Sequence, residues 1–325
     1  MSELRITRRT AMGGLAGILA AGALPAWAQS DKPVRFILPN ATGSGVDAIT
    51  RSAQNALGKA LGATVVVDNQ PGAGGIVGLQ ALARSAPDGL TLGVVSNNVV
   101  IFPSVMKSIP FDMPGDFTPI AVVGYTPVVL VVNPKVAAKN AQEFAALLKA
   151  RHGDMTYASG GNGTILHLAS AQFLDETKTQ ARHIPYKGVG PMITDLIGGQ
   201  GDFATAALPS VQQHLKSGAL RAIGVATAQR VAAAPEIPTF VEQGLPGYVV
   251  EAWFAVVAPK GLPPAQVKRV HDAVVAAFND AEVKDVMAKQ GNVINVGASD
   301  QAMPFFRAEL AKYAALVKKA GVEAQ

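Results

Sequence analysis

Short apolar runs alternate with stretches of helical periodicity along almost the whole chain, and this alternation is the first structural signal. Val34 to Leu38 is the first run, stopped by Pro39. Ile49, Ala53, Ala56, Leu57 and Ala60 then recur on one face of a helix predicted from about Ala48 to Leu61. A strand over Thr64 to Val67, a helix over Ile76 to Arg84 and a strand over Leu90 to Val95 follow. Apolar strands are expected at Ala121 to Val123 and at Val128 to Val132, the second ended by Asn133-Pro134. Beyond them come a helix from about Ala141 to Ala150, a strand over Met155 to Ala158 and a helix over Ile165 to Leu174. An extended run ending at Ile184 leads to a short helix containing Thr194 to Ile197. Phe203 to Ala207, Leu220 to Ala226 and Trp253 to Ala258 read as strands, and Ser210 to Ser217, Pro264 to Asn279 and Gln301 to Ala320 as helices. Such strand–helix alternation implies a mainly parallel sheet with its loops gathered at the strand C-termini.

Three of these loops are rich in glycine and open directly into a helix. They are Thr42-Gly43-Ser44-Gly45-Val46-Asp47, Ser159-Gly160-Gly161-Asn162-Gly163-Thr164 and Gly188-Val189-Gly190-Pro191. Each offers unpaired backbone N–H groups and the positive end of a helix dipole, a combination that suits an anion. Pro191 suits the first helical position, Thr164 or Asn162 is a fair N-cap, and Asp47 belongs in a first turn as a capping carboxylate. Ser96-Asn97-Asn98 closes a strand with polar groups that can face a cleft, and Asn97 is taken as a candidate. Gly72, Gly74 and Gly78 miss the dinucleotide spacing by one residue, and no acid sits at a strand end some 20 residues on, so this segment reads as a structural turn.

The 325 residues suit two α/β domains, with the chain crossing near Val128–Val132 and again near Trp253–Ala258. Crossing strands make a hinge, and the cleft between domains is the expected ligand site. Residues 1–28 stand apart from this pattern. Arg8-Arg9, an apolar glycine-rich run from Ala11 to Leu24, and Ala26-Trp27-Ala28 read as an export signal of twin-arginine type, with ordinary secretory export as the alternative. Its cleavage removes three arginines and one glutamate and lowers the net charge from +5 to +3. No basic run remains to bind nucleic acid, and no later segment offers an unbroken membrane span. With no cysteine, disulfides and thiolate metal sites are excluded. His152, His167, His183, His214 and His271 show no metal spacing, and neither a nucleophile elbow nor a phosphate loop is present. The residues therefore point to binding without catalysis, without cofactor and without metal.

Five strings occur in order: Asn69 to Gly75, Ala86-Pro87-Asp88-Gly89, Asp116 to Ile120, Tyr186-Lys187-Gly188 through Asp202, and Glu242 to Pro246. Through them the chain resembles the substrate-binding receptors of tripartite tricarboxylate transporters, the Bug receptors. The resemblance implies a two-domain periplasmic-binding-protein fold of the Venus-flytrap type (type II) with two hinge crossovers. Residues 29–128 plus 256–325 would form one domain and 129–255 the other. It further implies a monomeric periplasmic receptor that takes a small carboxylate through backbone amides and small hydroxyls, then hands it to membrane permease subunits. The three glycine loops correspond to the family's ligand loops. Asp47 and Asp202 match acids of the family pattern and are expected to shape loops. Near Ala206 many relatives carry an acid or amide; its absence predicts a plain carboxylic acid over an amino acid. Gly160 likewise replaces a hydroxyl residue. A ligand sensor acting on a kinase, or a carboxylate-processing enzyme, are the rival readings.

Overall fold

The computed structural model describes residues 32–319 and residue 324. The expected export signal, residues 1–28, lies outside them. In chain order the elements are β1 (Val34–Leu38), α1 (Gly45–Leu61), β2 (Val65–Asn69), α2 (Ile76–Ala83), β3 (Thr91–Ser96) and α3 (Asn98–Val105). The long strand β4 (Phe117–Val132) leads to α4 (Ala141–Ala150), β5 (Thr156–Ser159), α5 (Ile165–Thr177), β6 (Arg182–Pro185) and α6 (Val189–Gly198). β7 (Phe203–Ala207), α7 (Leu208–Lys216), β8 (Arg221–Val225) and β9 (Glu251–Pro259) follow. The described chain closes with α8 (Pro264–Asn279), α9 (Ala281–Lys289), β10 (Val293–Ile294) and α10 (Ser299–Lys319).

β1 lies between β2 and β3, parallel to both, and β3 is antiparallel to β9. β9 in turn pairs antiparallel with β4 from Phe117 to Pro127. From Val128 to Val132 the same strand pairs with β7 and with β8, and β5 carries β7 and β6 as parallel neighbours. One continuous strand thus belongs to two sheets, each wrapped by its own helices, and the molecule is a two-lobed α/β protein of the periplasmic-binding-protein type.

Gly124-Tyr125-Thr126-Pro127 reads as a break between two strands, and the structure runs straight through it. Every one of these residues is paired on β9, from Phe254 to Glu251, and β10 pairs with Gly124 and Tyr125. A Cβ at Gly124 would run into the Val293 carbonyl oxygen, so the glycine is what lets β10 close in. Prolines at 119 and 127 cost the ladder two donors, and the register slips beside the first of them.

The first sheet is buried on both faces. Phe36, Ile49, Leu57, Val274 and Phe278 fill the side of α1 and α8, while Leu79, Phe102 and Phe306 fill the side of α2, α3 and α10. In the second lobe Phe144, Phe173, Phe203, Phe240 and Tyr248 form one aromatic cluster with centroids 4.8–5.7 Å apart. The sequence pattern missed α9 because only Val283 and Met287 of its nine residues are buried. Its start is nonetheless well marked: Asp280 Oδ1 accepts from the amides of Glu282 and Val283.

Candidate functional site

Parallel strand–loop–helix units place their helix N-termini on one side of a sheet. In this chain two such sheets present theirs to the same cleft, which encloses about 780 Å³ with its open mouth included. Six helices begin at its wall. Ser44, Gly45 and Val46 come from the start of α1, Gly75 from that of α2 and Asn98 from that of α3. Thr164, Ile165 and Leu166 open α5, Gly188 and Val189 open α6, and Ala207 and Ser210 open α7. Each helix start carries roughly half a positive charge. Among the described residues the lining holds no carboxylate and one cation, the exposed Lys187.

The loop before α1 is held by its own side chains. Ser44 is extended (φ −69°, ψ 161°) and its Oγ accepts from the Asp47 amide at 3.3 Å. The buried Asp47 carboxylate accepts from Gly43 N–H at 3.0 Å and from Arg51 Nε at 2.8 Å. Arg51 continues to Asn69 Oδ1, and Asn69 Nδ2 donates to the Asn40 carbonyl, so the chain of contacts returns to the cleft. The amides of Gly45 and Val46 make no hydrogen bond among the described residues. The Val189 amide at the start of α6 is equally unpaired among them.

Across the cleft the loops touch. A Cβ at Gly45 would lie 2.8 Å from the Ala207 Cβ, and one at Gly188 would lie 2.7 Å from the Ala41 Cβ. Gly188 also sits at φ 131°, which other residues avoid. Asn98 Oδ1 accepts from the Ile165 amide at 2.8 Å, tying α3 to the start of α5. Three side-chain oxygens of the lining, on Asn40, Thr126 and Ser210, are buried and make no hydrogen bond among the described residues. A buried polar atom left unpaired costs about 1–3 kcal/mol, so such groups mark places where a ligand's polar atoms fit.

Beneath the loop from Ser159 to Thr164 lies a pair of stacked histidines. The rings of His167 and His183 are 3.9 Å apart and inclined by 5°, with Tyr157 stacked on His183 at 4.8 Å. His167 Nδ1 accepts from the Gly163 amide at 3.1 Å, and His183 Nε2 lies 2.7 Å from Ser159 Oγ. Burial pushes the His167 pKa down to about 4. Burial, reinforced by the neighbouring ring, pushes that of His183 down to about 3. Burial also raises Tyr157 to about 12. At neutral pH both imidazoles are uncharged, which leaves the His167 lone pair free for the loop.

Of the loop residues singled out in sequence, Ser44, Gly45, Val46, Gly160, Thr164, Gly188 and Val189 line the cleft. Thr42, Gly43, Gly190 and Pro191 belong to the same loops without lining it, and Pro191 is the third helical residue of α6, not the first. Asp47, Ser159 and Gly163 lie behind the lining and hold the loops, as their hydrogen bonds show. Gly161 and Asn162 face the glycine turn at Gly74.

Three placements correct the sequence reading. Asn97 is buried away from the cleft, donating to the Glu251 carbonyl and the Tyr313 hydroxyl, and its neighbour Asn98 lines the cleft instead. Asp202 precedes β7 at the far end of the sheet, where its Oδ2 accepts from Thr156 N and Oγ1. Ala206 is buried opposite Val129, and the next residue, Ala207, is the one at the cleft. The turn containing Gly72, Gly74 and Gly75, read as structural only, lines the cleft as well. Spacing and the missing acid exclude a dinucleotide site there, but the same glycines open a helix after a strand, and that is the signal that places them at the cleft. Asn40, Thr126 and Ser210 carry no motif and were invisible in sequence.

Among the described residues no helix is long and apolar enough to cross a membrane, and no group of three metal-ligating side chains gathers.

The sequence profile of the tripartite tricarboxylate transporter family receptors matches residues 49–322. Protein BugT of Bordetella pertussis is 34% identical over 96% of this chain and 95% of its own length. The structure of the periplasmic binding protein BugD shares 30% identity and a TM-score of 0.86, covering 90% of this chain and 99% of that one. R. palustris Rpa4515 with adipate shares 26% identity and a TM-score of 0.87 over 90% of this chain and 98% of that one. A cleft ringed by helix N-termini, a two-lobed fold and a match over most of its length lead to one conclusion: this chain belongs to the receptor family of tripartite tricarboxylate transporters.

Proposed function

We propose that this chain is an exported receptor that closes on a small carboxylate and hands it to the permease subunits of a tripartite transporter. One observation carries the reading: six helix starts converge on a cleft whose described lining holds no carboxylate of its own. An anion there gains from every dipole end, and more so once water is excluded. The ligand carboxylate is assigned to the unpaired amides of Gly45, Val46 and Val189. Ser44 Oγ accepts from Asp47 N and keeps its own proton for a ligand oxygen. Asn40, Thr126 and Ser210 receive the remaining polar atoms of the ligand. The other residues of the glycine loops, with Asp47 and the histidine pair behind them, hold these donors in position.

Residues 29–128 with 256–325 and residues 129–255 are assigned as the closing lobes, pivoting where β4 passes from one sheet to the other. The mature protein, free of a signal cleaved near Ala28, acts as a monomer in the periplasm. The lining offers an ammonium group no acidic partner, so plain organic acids are favoured over amino acids. That a relative holds adipate supports a dicarboxylate.

The test is a thermal-shift and calorimetry panel on the chain starting at Gln29, stripped of ligand by partial unfolding. It pairs succinate with aspartate and glutarate with glutamate, and adds adipate, aromatic acids and neutral sugars. A ligand at about 100 times its Kd stabilises by roughly 2.7 kcal/mol, several degrees in melting temperature. Silence across all carboxylates overturns the reading. Equal or tighter binding of aspartate than succinate overturns the preference against amino acids.

A further inference from the structure

A second cavity, of about 690 Å³ with its opening included, shares a wall with the cleft. On β9 Glu251 lines the second cavity while the next residue, Ala252, lines the cleft. Ile165, at the first position of α5, is the one described residue whose side chain lines both spaces. That side chain is 7% exposed, and its backbone amide is fixed by Asn98 Oδ1. A β-branched residue in a helix has one strongly preferred rotamer, so Ile165 does not swing aside as a leucine or methionine would.

We propose that Ile165 sets the length limit of the acid that this cleft accepts, and that the second cavity takes an apolar tail once this side chain is shortened. The proposal rests on the carboxylate reading of the cleft. The second cavity defines the tail: Leu168, Ala169, Val249, Val250 and Leu316 give it apolar walls. Its charges do not welcome a second carboxylate. Glu176 and Glu251 face it, and the cation in its described lining, Lys312, is already held by Glu309 at 3.1 Å. The longer ligands admitted past position 165 are thus monocarboxylates with alkyl tails, not longer dicarboxylates.

The experiment measures affinities of unbranched monocarboxylates from propanoate to decanoate, with matched α,ω-dicarboxylates, for the wild type, Ile165→Val, Ile165→Ala and the double variant Ile165→Ala with Val249→Trp. In the wild type affinity stops rising at a short chain length. Ile165→Ala moves that limit to longer monocarboxylates, with each further methylene gaining about fourfold. Ile165→Val moves it the same way by less, the bulk added by Val249→Trp reverses the gain, and the dicarboxylates gain nothing. An unchanged limit in both single variants, with short acids bound by the wild type, overturns the proposal. A wild type that binds no carboxylate overturns the reading of the cleft and this inference with it.

Discussion

Gly45 offers the cleanest test of closure, because a methyl group there acts in opposite directions on the two states. The residue is the first of α1 and has an ordinary helical backbone, so alanine introduces no strain. With the cleft open, alanine favours the helix over glycine by up to about 1 kcal/mol. With the cleft closed, the added Cβ lies 2.8 Å from the Cβ of Ala207, roughly 1 Å inside a comfortable contact. Neither atom can escape by a rotamer change, since each is fixed to its backbone. Overpacking of this kind costs about 1–3 kcal/mol, which at 1.4 kcal/mol per decade is a loss of about 5- to 150-fold in affinity. Calorimetry with the tightest acid of the panel measures it, alongside the melting temperature without ligand and small-angle scattering with it. The expected result is a ligand-free Gly45→Ala protein at least as stable as wild type, weaker binding, and incomplete compaction at saturation. Gly198→Ala is the control, since nothing lies within 4 Å of its Cβ position and it sits at the far end of α6. Wild-type affinity in Gly45→Ala would show that the contact between Gly45 and Ala207 plays no part in ligand capture.

The remaining predictions are shorter. Asn98→Ala removes the acceptor for the Ile165 amide and weakens binding by about 1–3 kcal/mol with little change in ligand-free stability, whereas Asn97→Ala lowers the melting temperature through Glu251 and Tyr313. Gly188→Ala combines φ 131° with a 2.7 Å approach to Ala41 and should lose more affinity than Gly45→Ala. His167 and His183 titrate near 6.5 when unfolded but near 4 and 3 when folded, so below pH 6.5 the unfolded chain binds more protons. Stability is then full above pH 6.5 and falls as pH drops towards 4, by up to about 1.4 kcal/mol per pH unit from His167, with less from the more solvated His183. Urea unfolding at several pH values reads this slope, and His167→Gln should flatten it; an unchanged slope would refute the assignment.

Much of the cleft was legible because helix starts announce themselves locally. The loops at Ser44, Thr164 and Gly188 are each a strand end, glycines and a helical period within a few residues, and all three reach the cleft. What stayed hidden depends on distance in sequence. His167 and His183 are brought together only because β5 and β6 are neighbours joined through α5. Thr126 lies in a stretch that reads as a break between two strands until β9 pairs with it. Asn97 and Asn98 are chemically identical neighbours, and which of them turns to the cleft is decided by α3, a helix holding a proline at 103 whose weak periodicity gives no sign of it.

The placement of β9 has a consequence for how the molecule is made. It fills the gap between β3 and β4, so Ser96 pairs with Phe254 and Tyr125 with Trp253 across the whole intervening lobe. Such pairings have high contact order and carry a large loop-closure cost. Until Pro259 has left the ribosome, the first sheet exists only as two incomplete edges, β3 and β4, rich in valine and open to mispairing. The second lobe can assemble earlier around β5 and β7, and it then holds the two edges at a fixed spacing for the last strand to enter. Folding of this receptor is therefore expected to end with β9, and a slow final phase should be sensitive to substitutions at Ala255 and Val257, both fully buried in that strand.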